Sequence, residues 1–119
     1  MLTFYNQDGR AVAYLHDNGK SIYLYSGEPV AWLSDESVYD YFGHYLGWFQ
    51  DGWIRDRNGH CAFFTEDSSG GAARPARQAR PVRGARQARP ARGAREARPT
   101  QPARSTSWSD MSDESFFEQ

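Results

Sequence analysis

Four glycines set the frame of the first 68 residues: Gly9, Gly27, Gly43 and Gly59, separated by 18, 16 and 16 residues. A near-constant spacing of this kind signals tandem copies of one small structural unit. The neighbours fall into register with it. Three residues after each glycine stand Val12, Val30, Leu46 and Ala62; five after stand Tyr14, Trp32, Trp48 and Phe64; five before stand Phe4, Ile22, Val38 and Ile54. All twelve positions are apolar or aromatic. Four residues before the glycine stand Tyr5, Tyr23 and Tyr39, then Arg55; four after it stand Ala13, Ala31 and Gly47, then Phe63. The fourth copy therefore departs from the pattern twice.

Each unit reads as a β-hairpin, because a short apolar and aromatic run meets a glycine turn and a second such run follows. Asp8-Gly9 and Asn58-Gly59 are strong turn pairs, since glycine accepts the positive φ that tight turns require. Asn18-Gly19, Ser34-Asp35-Glu36-Ser37 and Asp51-Gly52 mark the joints between units. Turns this frequent leave no room for an ordinary helix before residue 105, and they predict an all-β meander or closed ring of four tandem hairpins. Second strands such as Ala11-Val12-Ala13-Tyr14-Leu15 are apolar on both faces, so something must cover each face. Ala13, Ala31 and Gly47 suit a close approach of strands at a pseudo-four-fold centre, and the large aromatics would fill the spaces between hairpins. A domain this small buries a modest share of its surface, which leaves self-association into a homo-oligomer open.

Charge divides the chain into three blocks. Residues 1–68, the β-domain, carry four basic and ten acidic side chains; residues 69–104 carry ten arginines and only Glu96; residues 105–119 add four acidic side chains. In the middle block arginine recurs every third residue, at Arg74, Arg77, Arg80, Arg83, Arg86, Arg89, Arg92, Arg95 and Arg98. Polyproline II also repeats every three residues, so Pro75, Pro81, Pro90 and Pro99 predict a disordered or semi-rigid Ala-Arg-Pro linker with one guanidinium ridge. Such a ridge attracts phosphate backbones without reading sequence, and contact with nucleic acid through these arginines is the functional alternative to a plain tether. In the last block Trp108, Met111, Phe116 and Phe117 are apolar anchors in an acidic, serine-rich end, as in a short linear docking motif.

The runs Ile22-Tyr23-Leu24-Tyr25-Ser26-Gly27-Glu28-Pro29-Val30-Ala31-Trp32-Leu33, Phe42-Gly43-His44-Tyr45-Leu46-Gly47-Trp48-Phe49 and Ile54-Arg55-Asp56-Arg57-Asn58-Gly59-His60 together resemble the bacterial four-fold beta-flower domain family. The resemblance covers residues 2 to about 66 and implies hairpins arranged as petals about a pseudo-four-fold centre. Ser107-Trp108-Ser109 and the pair Phe116-Phe117 are similar to that family's C-terminal segment. Ala62-Phe63-Phe64 stands where relatives would show Val-Gly-Phe, which implies a less symmetric fourth petal. The resemblance implies a fold and lends nothing to catalysis.

No catalytic or metal-binding constellation emerges. His44 and His60 each follow a repeat glycine as copies of one turn, while His16 lies elsewhere in its unit. Cys61 is the lone cysteine, and its strand neighbour His60 points to the opposite face. No cofactor is expected. Nor is a membrane span, and neither a signal peptide nor a long apolar run is visible, so the expected location is cytoplasmic. Aromatic hairpins with glycine turns also occur in choline- and glucan-binding repeats, where pockets between hairpins hold a quaternary ammonium group or a sugar. The reading that follows is a non-enzymatic interaction module: a β-domain tethered to a peptide that docks on its own chain, on a second copy or on another protein. The alternative is a nucleic-acid-associated accessory protein.

Overall fold

The computed structural model describes residues 2–119. Eight short strands follow one another: β1 (Leu2–Tyr5), β2 (Ala11–Leu15), β3 (Ser21–Leu24), β4 (Pro29–Ser34), β5 (Ser37–Tyr39), β6 (Tyr45–Gln50), β7 (Trp53–Asp56) and β8 (Cys61–Phe64). Among the described residues a single short helix, α1 (Asp113–Phe117), comes at the end. Every strand pairs antiparallel with its sequence neighbour, and β1 closes on β8 through Tyr5 and Phe64. The result is a closed eight-stranded barrel of four hairpin petals, with no free sheet edge among the described residues.

The twelve-position register becomes two concentric layers. At the hub, Phe4 pairs with Ala13, Ile22 with Ala31, Val38 with Gly47 and Ile54 with Phe63. A large residue faces a small one in three petals, which lets the hub close; the fourth petal places two large residues together. In every petal the register slips by one immediately after the hub residue, at Phe4/Tyr5, Ile22/Tyr23, Val38/Tyr39 and Ile54/Arg55. This bulge re-aims the next side chain away from the hub and sharpens the local twist.

Outside the hub the seams between petals are aromatic. Tyr14 pairs across a seam with Tyr23, Trp32 with Tyr39 and Phe64 with Tyr5, each as a stacked pair with ring centroids 5.4 to 5.8 Å apart. At the remaining seam Trp48 faces Arg55. The seams carry a large share of the buried aromatic surface, and offset stacking adds about 0.5–1.5 kcal/mol per pair beyond area.

Candidate functional site

Each petal tip is built on the residue three before its glycine. Asn6, Asp40 and Asp56 accept two backbone N–H bonds on one side-chain oxygen, from Asp8 and Arg10, from Phe42 and His44, and from Asn58 and His60. These Asx turns fix three of the tips. The second petal has Leu24 at this position, whose side chain packs against the hub instead. The second side-chain atom of each Asx residue is left free for another partner. His44 takes Asp40 (Nδ1 to Oδ2, 2.9 Å), and the other two reach the C-terminal segment.

Residues 69–104 contain no helix or strand, yet they are not the disordered linker that their composition predicts. They form a strap along the petal tips. The backbone N–H groups of Gln78, Gln87, Glu96 and Ser105 donate to the carbonyls of Gly9, Gly27, Gly43 and Gly59, at 2.8 to 3.1 Å. A Cβ on any of those four glycines would land on the carbonyl oxygen of Ala76, Ala85, Ala94 or Ala103 respectively. The strap thus advances nine residues per petal. Nine residues of polyproline II extend about 28 Å, and a quarter of the circumference of a disc about 35 Å across is roughly the same length. Gly84 and Gly93 donate further bonds to Tyr25 and Tyr41; the matching positions at the outer petals are Pro75 and Pro102, which have no N–H to give. Extended backbone exposes unpaired donors, and the petal-tip carbonyls use them.

The arginines do not form a single ridge. Arg77 lies over Tyr5, Arg83 over Tyr14, and Arg92 and Arg95 over Trp32, with Arg95 also reaching Tyr39. The chain's own guanidinium groups therefore sit on the seam aromatics, where a choline-type site would hold its ligand. Arg89 donates to Ser21, Arg74 to Ser68, and Arg104 pairs with Asp51 at 2.7 Å. Arg80, Arg86 and Arg98 are exposed, as are the other strap arginines, and Arg98 lies beside Tyr45. Burial raises the phenols of Tyr41 and Tyr45 above their ordinary value, against the pull of Arg89 and Arg92 on the first and Arg98 on the second.

The C-terminal segment returns across the fourth petal. Ser107 and Ser109 bond either side of Cys61 in a parallel bridge, and Trp108 packs edge-on against Trp53 and Phe64. The Ser109 hydroxyl donates to Asp56 at 2.6 Å, so the fourth-petal Asx residue holds the segment. Ser112 caps α1, whose Asp113 accepts from Asn6 and from Arg10. Phe116 and Phe117 are buried on the hub, Phe116 edge-on to Phe63 and Phe117 stacked on it, and Met111 packs beside them. Met111, Phe116 and Phe117 are thus brought to the hub cluster, and Trp108 to the separate seam cluster of Trp53 and Phe64. Sequence reasoning had no means to choose this seat over a partner's surface; the clue was Phe63, the oversized hub residue.

Beside α1 a groove of about 1100 Å³ opens over the first three petals. His60 lies 3.9 Å from Asp56 and is tied to its own tip, as His44 is. Cys61 is buried within the bridge. Among the described residues no group of three metal-ligating side chains occurs, and no helix is long and apolar enough to cross a membrane.

The strap's nine-residue period, Gln78, Gln87 and Glu96 or Pro81, Pro90 and Pro99, was present in the sequence but hidden beneath the three-residue arginine spacing. No curated protein sequence and no solved structure matches the chain. The family model described as 4-fold beta flower protein matches residues 2–117, which takes in the strap and α1 together with the petals. With petals, strap and C-terminal anchor all inside that match, the chain belongs to the 4-fold beta flower protein family.

Proposed function

We propose that this protein is a non-enzymatic interaction module in which the C-terminal segment is an exchangeable docking peptide, housed on its own hub when no other acceptor competes. One observation carries the reading: Phe116 and Phe117 are buried on Phe63, while the strap that tethers them is held by backbone hydrogen bonds and exposed arginines and contributes almost no apolar core. A tether of this kind is extended when docked and an unstructured chain when released. It would carry the anchors to a second copy or to another protein's apolar groove at high effective concentration.

The test uses the full chain. A Phe116→Ser, Phe117→Ser variant vacates the seat, and a labelled peptide of residues 105–119 is then offered in trans. The expected result is binding to the variant and much weaker binding to the wild type, whose seat is filled. A folded variant that ignores the peptide, or equal binding to both chains, rejects the proposal.

A second reading rests on the strap arginines, all of which stay exposed on the docked strap, Arg80, Arg86 and Arg98 among them. They leave a sequence-indifferent contact with a phosphate backbone open to the intact protein. Titration with a labelled oligonucleotide across a salt series tests it, and a flat salt dependence removes it.

A further inference from the structure

The groove beside α1 is asymmetric in a way that the petals are not. Its floor is apolar, formed by Val12, Leu24, Val30 and Phe117. Five carboxylates line it: Glu28, Asp40, Asp113, Glu114 and Glu118. Against them stands one arginine, Arg10, already paired with Asp113 at 3.2 Å, together with His44, already bonded to Asp40. The strap runs along one wall but contributes only Gln78, Ala79, Pro81, Pro90 and Ala91. None of its arginines enters. Glu28, Glu114 and Glu118 are exposed, and Phe42 projects at the rim with 81% of its surface free.

The groove opens along the edge of the C-terminal segment, which forms one wall of it. Asp56 and Asn6 are bonded to Ser109 and Asp113, whereas Asp40 turns to His44 and the second petal has Leu24 in the equivalent place. The segment covers one side of the hub face and leaves the other side open.

We propose that this groove is a docking site for a cationic amphipathic peptide segment, its apolar side chains on Val12, Leu24 and Val30 and its lysines or arginines among Glu28, Glu114 and Glu118. Charge complementarity selects this occupant, since an acidic or neutral segment would bury the floor while leaving the surrounding carboxylates facing one another. The inference rests on the seating of α1 described above, because Phe117 forms part of the floor and Glu114 and Glu118 part of the rim.

The experiment measures anisotropy of a fluorescein-labelled peptide of alternating lysine and leucine added to the full-length protein at physiological ionic strength. Peptides of alternating glutamate and leucine, and of lysine and serine, serve as controls. Hydrogen exchange across residues 113–117 is recorded on the same sample. The expected result is saturable binding of the lysine–leucine peptide alone, weakened roughly ten-fold by the double reversal Glu28→Lys and Glu118→Lys. Both positions are exposed, so the reversal leaves the fold intact. Protected α1 amides with no binding, or binding that the reversal does not weaken, overturns the groove proposal and spares the docked C-terminal segment. Equal binding of the lysine–serine peptide also overturns it, because the floor is then idle. Dimerisation that closes the groove to peptide makes a second copy the occupant and rejects the proposal. Freely exchanging α1 amides overturn both readings together.

Discussion

Phe63 and Phe117 stack with ring centroids 5.5 Å apart and planes 17° from parallel, although the whole strap separates them in sequence. The equivalent hub positions in the other petals hold Ala13, Ala31 and Gly47. The exception in the fourth petal is therefore a platform, and it breaks the four-fold symmetry where the C-terminal helix must choose one seat. Without it, four near-identical quadrants would compete for one pair of phenylalanines.

Phe63→Ala should restore the pattern of the other petals and unseat α1. Deleting a buried phenyl ring costs about 3–5 kcal/mol, and here the loss divides between the hub and the helix. Thermal melts should show the drop, and hydrogen exchange should show residues 113–117 opening before the strands. Loss of stability with α1 still protected would mean that Phe63 serves the barrel alone.

The strap makes a sharper prediction at Gly27. Its φ is 100°, and a Cβ there meets the carbonyl of Ala85. Gly19 has φ 73° with open space around it. Alanine at either site bears a left-handed cost of roughly 1 kcal/mol, but only Gly27→Ala should lift the strap. Trypsin reports the difference, since Arg83 and Arg86 are followed by residues other than proline and become cleavable once released. Equal cleavage of the two variants would show that the strap does not depend on these close approaches.

The four-hairpin ring was legible because its glycines and its twelve apolar positions keep register through every copy. The Asx position was not, since Leu24 interrupts Asn6, Asp40 and Asp56, and a rule broken in one copy of four looks like chance. The strap was concealed by its own composition. Arginine every third residue satisfies polyproline II and disorder alike, and only the petal tips reveal that every ninth backbone amide has a partner. The docking residues were visible as apolar anchors, but their acceptor is a surface assembled by the fold.

The third seam differs from the others in two places at once. Arg55 replaces the tyrosine of the other petals, facing Trp48 and bonding the carbonyls of Gly59 and Ser105. The strap position that supplies Arg83 and Arg92 at the first two seams is Gln101 here. One cation is thus provided from the barrel where the strap omits it. Gln101→Arg alone should destabilise by adding a second guanidinium near Arg55. Combined with Arg55→Tyr it should recover part of the loss of the tyrosine variant, with a coupling energy of about 0.5–2 kcal/mol in a double-mutant cycle. Additive effects would mean that the two positions do not share the seam.

Asn6 is an amide where the third and fourth petals use a carboxylate, and its partner explains the choice. Its Nδ2 donates to Asp113 at 3.0 Å, whereas Asp56 accepts from the Ser109 hydroxyl. Asn6→Asp would set two carboxylates against each other in a half-buried site, at a cost of about 1–3 kcal/mol near neutral pH. The cost should shrink in acid as one of them takes a proton. Adding Asp113→Asn should restore the donor and the stability, in melts at pH 7, with α1 protected again. Failure of the swap to rescue would place the role of Asn6 in its Asx turn alone.

Alkaline pH probes the strap from the other side. Burial raises Tyr41 and Tyr45 above the ordinary phenol value, so the folded protein holds these protons more tightly than the unfolded chain does. Their contribution is complete below about pH 10 and declines as the pH rises past it, because there the unfolded state binds fewer protons. The melting temperature should therefore fall more steeply above about pH 10 in the wild type than in a Tyr41→Phe, Tyr45→Phe variant, which has no phenol to ionise at those sites. Arg89, Arg92 and Arg98 counteract the rise by favouring the phenolate. Replacing them with glutamine should push both phenols further up, and spectrophotometric titration of tyrosine absorbance would show the displacement. An unchanged titration would mean that in solution the strap cations do not face these rings.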